Sequence, residues 1–188
     1  MFLDMMVQTE QTPNPNTLKF LPGKKVSEAG SVEFWKKDKN INVSLVKDIL
    51  SLKGTVMVFL GSDFITVKKE ENHKWDDLKH SVISQINDYY LKGNDVVVEK
   101  NFLTSDQDTP TKSDEVIDKI NEILNSKVRP AVARDGGDIK FKSFKDGILH
   151  VELQGSCSGC PSSVMTLKQG VENLLRHYVP EVKQVEAD

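Results

Sequence analysis

The chain has 188 residues, 38% of them hydrophobic and 28% charged, which suits one medium or two small globular domains and excludes the weakly hydrophobic disordered class. A formal net charge of -3 and only two cysteines give little reason to expect nucleic acid or a membrane as partner, and they argue against a disulfide-stapled secreted protein. The longest apolar run, Thr55–Leu60, is far too short to cross a bilayer, and the apolar start Met1–Val7 carries Asp4 but no Lys or Arg, so it reads as neither secretory signal nor transit peptide. The expected setting is a reducing one: the cytoplasm of a bacterium, or the mitochondrial matrix if the source is eukaryotic and a leader has been processed.

Taken in chain order, Pro13-Asn14-Pro15 reads as a rigid entry turn before a strand at Thr17–Leu21, with another short strand at Ser31–Trp35. Ser44–Leu52 places Leu45, Val46, Ile49 and Leu50 on one helical face and stops at Gly54. Thr55–Leu60 and Phe64–Val67 flank Gly61-Ser62-Asp63 and predict a hairpin. The spacing of Leu78, Val82, Ile86 and Tyr89 predicts a helix from Trp75 to Leu91, with Gly93 at its C-terminal cap. Asn101–Lys112 is polar, contains a proline and lacks either hydrophobic period, so it reads as a linker between domains at residues 1–100 and 113–188.

Beyond the linker, Val116, Ile117, Ile120, Ile123 and Leu124 mark an amphipathic helix, with Asp114 and Glu115 complementing its dipole. Arg129-Pro130 is expected to end that helix or begin the next turn. Ile139 and Phe141 alternate with lysines, and Leu149, Val151 and Leu153 alternate with polar residues, which predicts two strands joined at Lys145-Asp146-Gly147. Pro161 opens a last helix striped by Val164, Leu167, Val171, Leu174, Leu175 and Tyr178 and stopped at Pro180. A final strand is expected near Val182–Val185. Gly170, inside the helix, reads as a close-packing point against the sheet. The fold class is α+β: two small α/β-sandwich domains, the second ordered helix–strand–strand–CxxC–helix.

Both cysteines lie in that CxxC, Cys157-Ser158-Gly159-Cys160. Two thiols in one turn can pair as a disulfide or bind a soft metal, whereas a tetrahedral site takes four ligands. A metal site would therefore draw its other half from elsewhere, most simply from a second copy of the chain. A helix N-terminus favours thiolate over thiol, and Gly155 and Gly159 let both sulfurs point outward. A structural zinc half-site and a thiol–disulfide pair fit the same spacing, and metal and redox use both stay open on these residues alone.

Asp135-Gly-Gly-Asp-Ile139 after Arg129-Pro130, followed by Gly155-Ser-Cys-Ser-Gly-Cys-Pro-Ser-Ser163 and Thr166-Leu-Lys168, resembles the C-terminal domain of the NifU-like (Nfu) family. Gln11-Thr-Pro-Asn-Pro-Asn-Thr-Leu-Lys-Phe20 and Phe64-Ile-Thr-Val67 resemble that family's N-terminal domain. The resemblance implies a non-enzymatic iron–sulfur cluster scaffold or carrier. It implies a 4Fe–4S cluster held between two subunits by Cys157 and Cys160 of each, received from upstream cluster-assembly proteins and passed to apo client proteins. The rival readings are a thiol–disulfide oxidoreductase with an exposed Cys157 nucleophile and a zinc-bridged dimer. Asp135–Asp138 reads as a turn into a strand, Arg129 and Arg134 as solvated surface, Trp35 and Trp75 as packing or target contacts. His73, His80, His150 and His177 have no ligand spacing to the cysteines.

Overall fold

The computed structural model describes residues 6–103 and 115–188, and the chain divides into two units, Met1–Thr104 and Ser105–Asp188. In the first, β1 (Gln8–Gln11), β2 (Thr17–Leu21), β3 (Val32–Trp35), β4 (Thr55–Leu60) and β5 (Ile65–Lys69) form one sheet in the order β1-β2-β5-β4-β3. Every pairing is antiparallel. Helices α1 (Ser44–Ser51) and α2 (Trp75–Leu91) share its core through Leu45, Ile49, Val82 and Ile86, all fully buried. Strand β1 has no apolar alternation to betray it, being Gln-Thr-Glu-Gln at the sheet edge. It earns its place by pairing with β2 and by bringing the Glu10 carboxylate 3.2 Å from the buried Lys19 ammonium.

The Pro13-Asn14-Pro15 turn is closed by Asn14, whose side-chain oxygen accepts the Asn16 N–H at 3.0 Å and whose carbonyl accepts that of Thr17 at 3.0 Å. Tyr90, four residues after Ile86, completes the buried stripe of α2, while Tyr89 is half-buried; a helical face selects the i+4 neighbour over the i+3 one here. Trp75 packs edge-on to Phe20 at 6.3 Å and donates to the Pro15 carbonyl at 3.2 Å. Trp35 donates to Glu33 at 2.7 Å. Lys100–Leu103 forms a single 3-10 turn with Phe102 edge-on to Phe34 at 6.2 Å. The rest of the expected linker, and Asp114, lie outside the described residues.

In the second unit, α3 (Glu115–Ile123) runs through a π-helical turn at Leu124–Val128 into α4 (Arg129–Arg134). Of the two expectations for Arg129-Pro130 the second holds: it begins a new helical stretch, with Pro130 in the first turn of α4, and does not stop the helix. Pro130 lacks an N–H, and its ring would strike the carbonyl one turn back; widening the preceding turn removes that conflict. Strands β6 (Gly137–Lys145) and β7 (Ile148–Gly155) pair antiparallel, and β8 (Gln184–Ala187) joins β7 in parallel. Asp146 and Gly147 both take positive φ, 54° and 83°, as a tight hairpin turn requires.

Helix α5 (Pro161–Tyr178) buries Val171 and Leu175 against Leu149, Val151 and Ile120, but leaves Tyr178 exposed. The expectation for Gly170 is overturned: it is exposed, and nothing lies within 4 Å of where a β-carbon would stand. Strand β8 falls two residues later than the apolar pair Val182 and Val185 suggests, because Val182 is buried in the turn that precedes it. No helix among the described residues is long and apolar enough to cross a membrane.

Candidate metal centre

The cysteine loop begins where β7 ends. Gly155 sits opposite Gly137 in the β6–β7 register, so the sheet ends in a pair of residues without side chains. The space they leave is used. A β-carbon on Gly137 would stand 2.9 Å from the Cys157 sulfur and 2.6 Å from the Gln154 carbonyl oxygen. Gly155 and Gly159 bracket the turn with φ of 70° and 72°, the left-handed region that glycine enters without strain.

Hydrogen bonds from both serines fasten the turn. The Ser156 N–H donates to the Gly136 carbonyl at 3.2 Å, and its hydroxyl donates to the Asp135 carbonyl. The Ser158 hydroxyl donates to the Gly155 carbonyl at 2.9 Å. Cys160 then caps α5 from an extended backbone, its carbonyl accepting the Val164 N–H at 2.9 Å, with Pro161 in the first turn.

The two thiols are therefore unlike. Neither is in a disulfide, but Cys157 is buried at 6% exposure among the core residues of the unit, while Cys160 is half-buried. The expectation that both sulfurs face solvent as low-pKa thiolates fails for Cys157. Burial pushes its thiol above the ordinary value; the Ser156 hydroxyl opposes this, and the charges of Asp135, Asp138 and Cys160 reinforce it. Loss of hydration outweighs the helix N-terminus here, because Cys157 lies three residues before the Cys160 cap. An exposed Cys157 nucleophile, on which the oxidoreductase reading depends, is not present in this conformation.

Beneath the loop lies an ion pair that sequence reasoning missed. Arg129, expected on solvated surface, grips the buried Asp138 through a fork, Nε to Oδ1 at 2.8 Å and Nη2 to Oδ2 at 2.7 Å. Asp138 Oδ1 also accepts the Ile139 N–H at 2.8 Å. The carboxylate raises the guanidinium pKa further, chiefly through the hydrogen bond. This fork ties the start of α4 to the strand that carries Gly137. The doubled glycine of Asp135-Gly-Gly-Asp138 is the signal that marked the place, but only as a turn.

Beside Cys160 opens a groove of about 700 Å³ walled by Pro161, Val164, Met165, Lys168, Glu172 and Ala187. Met165 is 73% exposed. Lys168 pairs with Glu186 at 3.0 Å, and Glu172 accepts the Val185 N–H at 3.0 Å. Among the described residues no group of three or more His, Cys, Asp or Glu side chains is gathered as a metal site. None of the four histidines joins such a group; His73 lies 3.3 Å from Glu70. The donor set is thus two soft sulfurs, a fit for half of a zinc or iron–sulfur site.

Known protein families match both units. The NifU-like domain matches residues 120–186, and the N-terminal domain of Nfu/NifU scaffold proteins matches residues 7–93. The chain is 44% identical to NifU-like protein 4, mitochondrial, of Arabidopsis thaliana, over 98% of this chain and 66% of that protein. It is 43% identical to the human NFU1 iron-sulfur cluster scaffold homolog, mitochondrial, over 97% of this chain and 71% of that one. The chain thus spans about two thirds of the length of these relatives. The solution structure of a NifU-like protein from Saccharomyces cerevisiae aligns at 25% identity and a TM-score of 0.45, covering 52% of this chain and 88% of that one.

Proposed function

The chain belongs to the NifU-like (Nfu) family of iron–sulfur cluster scaffold proteins, and from that premise we propose that it carries a labile 4Fe–4S cluster between two copies of itself and hands it to apo-proteins. Cys157 and Cys160 of each copy supply half of the four-thiolate set that such a cluster takes. The observation that carries this reading is the donor count: two thiols outside any disulfide in one loop, and no gathered third ligand among the described residues.

A divided ligand set makes cluster binding and dimerisation one equilibrium. Occupancy rises with chain concentration and falls as the dimer loosens. A client's thiolates then replace those of Cys157 and Cys160 one for one, with no change in oxidation state. The role is a carrier's rather than a catalyst's. The N-terminal unit, whose sequence shows no Gly-rich phosphate loop, nucleophile elbow or cysteine, selects clients or upstream donors in this reading, and the polar stretch at residues 101–112 joins the two domains. The mitochondrial designation of the relatives supports the matrix option, which cell fractionation against a matrix marker checks.

Anaerobic reconstitution with iron and sulfide, followed by native mass spectrometry, tests the proposal. The expected product is a dimer carrying one 4Fe–4S unit, and Cys157→Ser and Cys160→Ser each lose both cluster and cluster-dependent dimer. Retention of full iron by either variant overturns it, as does an iron-free monomer that merely cycles between dithiol and disulfide.

A further inference from the structure

We propose that the cysteine loop rests in a closed state that offers only Cys160 to incoming cargo, so that ligands engage in the order Cys160, then Cys157, and that Gly137 is the positioning residue that creates the closed state. The inference rests on the assignment of both cysteines as cluster ligands, and it adds an order and a gate to it.

Four independent features of the loop converge on this. Cys157 is 6% exposed and counts among the buried core, whereas Cys160 is half-buried at the mouth of the groove on α5. The Cys157 sulfur occupies space that any side chain at position 137 would take, since a β-carbon there would lie 2.9 Å away. Ser156, itself buried, holds the turn down through the carbonyls of Asp135 and Gly136. Gly155 and Gly159 stand on either side of Ser156-Cys157-Ser158 at positive φ, where glycine alone tolerates large backbone rotation. A thiol stored under its own loop cannot reach an iron atom on a second chain. The loop must lift first.

The chemistry in each step is ligand exchange. The Cys160 sulfur donates a lone pair to an iron, its proton passes to water, and the iron releases one ligand to its donor. Cys157 repeats the exchange once Ser156 lets go of the Asp135–Gly136 turn. On delivery the order reverses: Cys157 leaves the iron as thiolate, takes a proton from water and returns to its place beside Gly137, drawing the loop off the cluster. A client thiol gives its proton to water and takes the coordination position so freed. Closure of the loop favours release, and its opening favours uptake.

Thiol labelling of the reduced, iron-free full chain with N-ethylmaleimide, read by peptide mass spectrometry, tests the gate without any cluster. Cys160 is expected to label faster than Cys157 by roughly tenfold or more, because Cys157 reacts only from locally opened molecules. The difference should vanish in denaturing urea. Equal native rates overturn the proposal. Gly137→Ala should raise the Cys157 rate several-fold and leave that of Cys160 unchanged, an effect that general loosening would spread over both thiols. A folded Gly137→Ala with an unaltered Cys157 rate removes Gly137 from the mechanism. Ser156→Ala adds no bulk and should accelerate Cys157 in the same selective way, so the gate stays testable if the glycine variant does not fold. Failure of the carrier assignment would appear elsewhere, as cluster retained by a Cys→Ser variant, and would leave these labelling rates as they are.

Discussion

Replacing Arg129 by Met strands the Asp138 carboxylate, which is 5% exposed and loses both arms of the fork that holds it. Removing one partner of a fully buried pair costs about 3–5 kcal/mol. Two features reduce this: the Arg129 side chain keeps 39% of its exposure, and Asp138 retains the Ile139 N–H at 2.8 Å. The expected loss is then about 2–3 kcal/mol, a large part of a domain's stability. Asp138→Asn leaves the charge on the partner that can still reach water and should cost less, about 1–2 kcal/mol. The double variant strands nothing, so its loss should fall short of the sum by about 1 kcal/mol or more. Arg129→Lys keeps the charge but not the fork and should lie between wild type and Met. Urea unfolding of the full chain by far-UV circular dichroism measures the effect. Tryptophan fluorescence serves as control, since Trp35 and Trp75 both lie in the N-terminal unit. Additive losses, or a costlier Asp138→Asn than Arg129→Met, would refute the reasoning.

Gly170→Ala should stabilise the second unit by up to about 1 kcal/mol, because the residue lies in an exposed helical position with open space around its missing β-carbon; an unchanged or lowered midpoint in the same unfolding experiment contradicts this. Deleting residues 1–112 should preserve cluster uptake by the remainder and slow transfer to particular apo-proteins, as followed by the rate at which a client regains activity. Loss of cluster binding in the truncated chain would show that the division of labour between the units is wrong.

Much of the architecture was legible because it rests on local periodicity. Leu149, Val151 and Leu153 alternate as a half-buried strand must, and the i, i+3, i+4 spacing of the helices survives in the fold, except that Tyr90 replaces Tyr89 in the buried stripe of α2 and Tyr178 drops out of that of α5. Strand β1 escaped because its four polar residues carry no period of their own, and its reason to exist is the neighbouring strand. Arg129-Pro130 was legible only as two options, and the start of a new turn is the one the fold takes. The rule that proline ends a helix is local, while the π-helical turn that accommodates it is held by Leu124 and Val128 in the core.

The candidate centre divides in the same way. Its donor set is sequence information: two cysteines at CxxC spacing, ahead of a proline that begins a helix, state which atoms offer soft ligands and that one chain holds too few of them for a four-ligand site. Its state is tertiary information. That Cys157 is stored and Cys160 offered follows from Gly137 lying opposite Gly155 across two strands, and from Arg129 reaching over nine positions to Asp138. Donor identity is a property of single residues and can be read from their order. Burial and charge pairing are sums over neighbours that only the folded chain brings together, and they decide which of two identical thiols meets the cargo first.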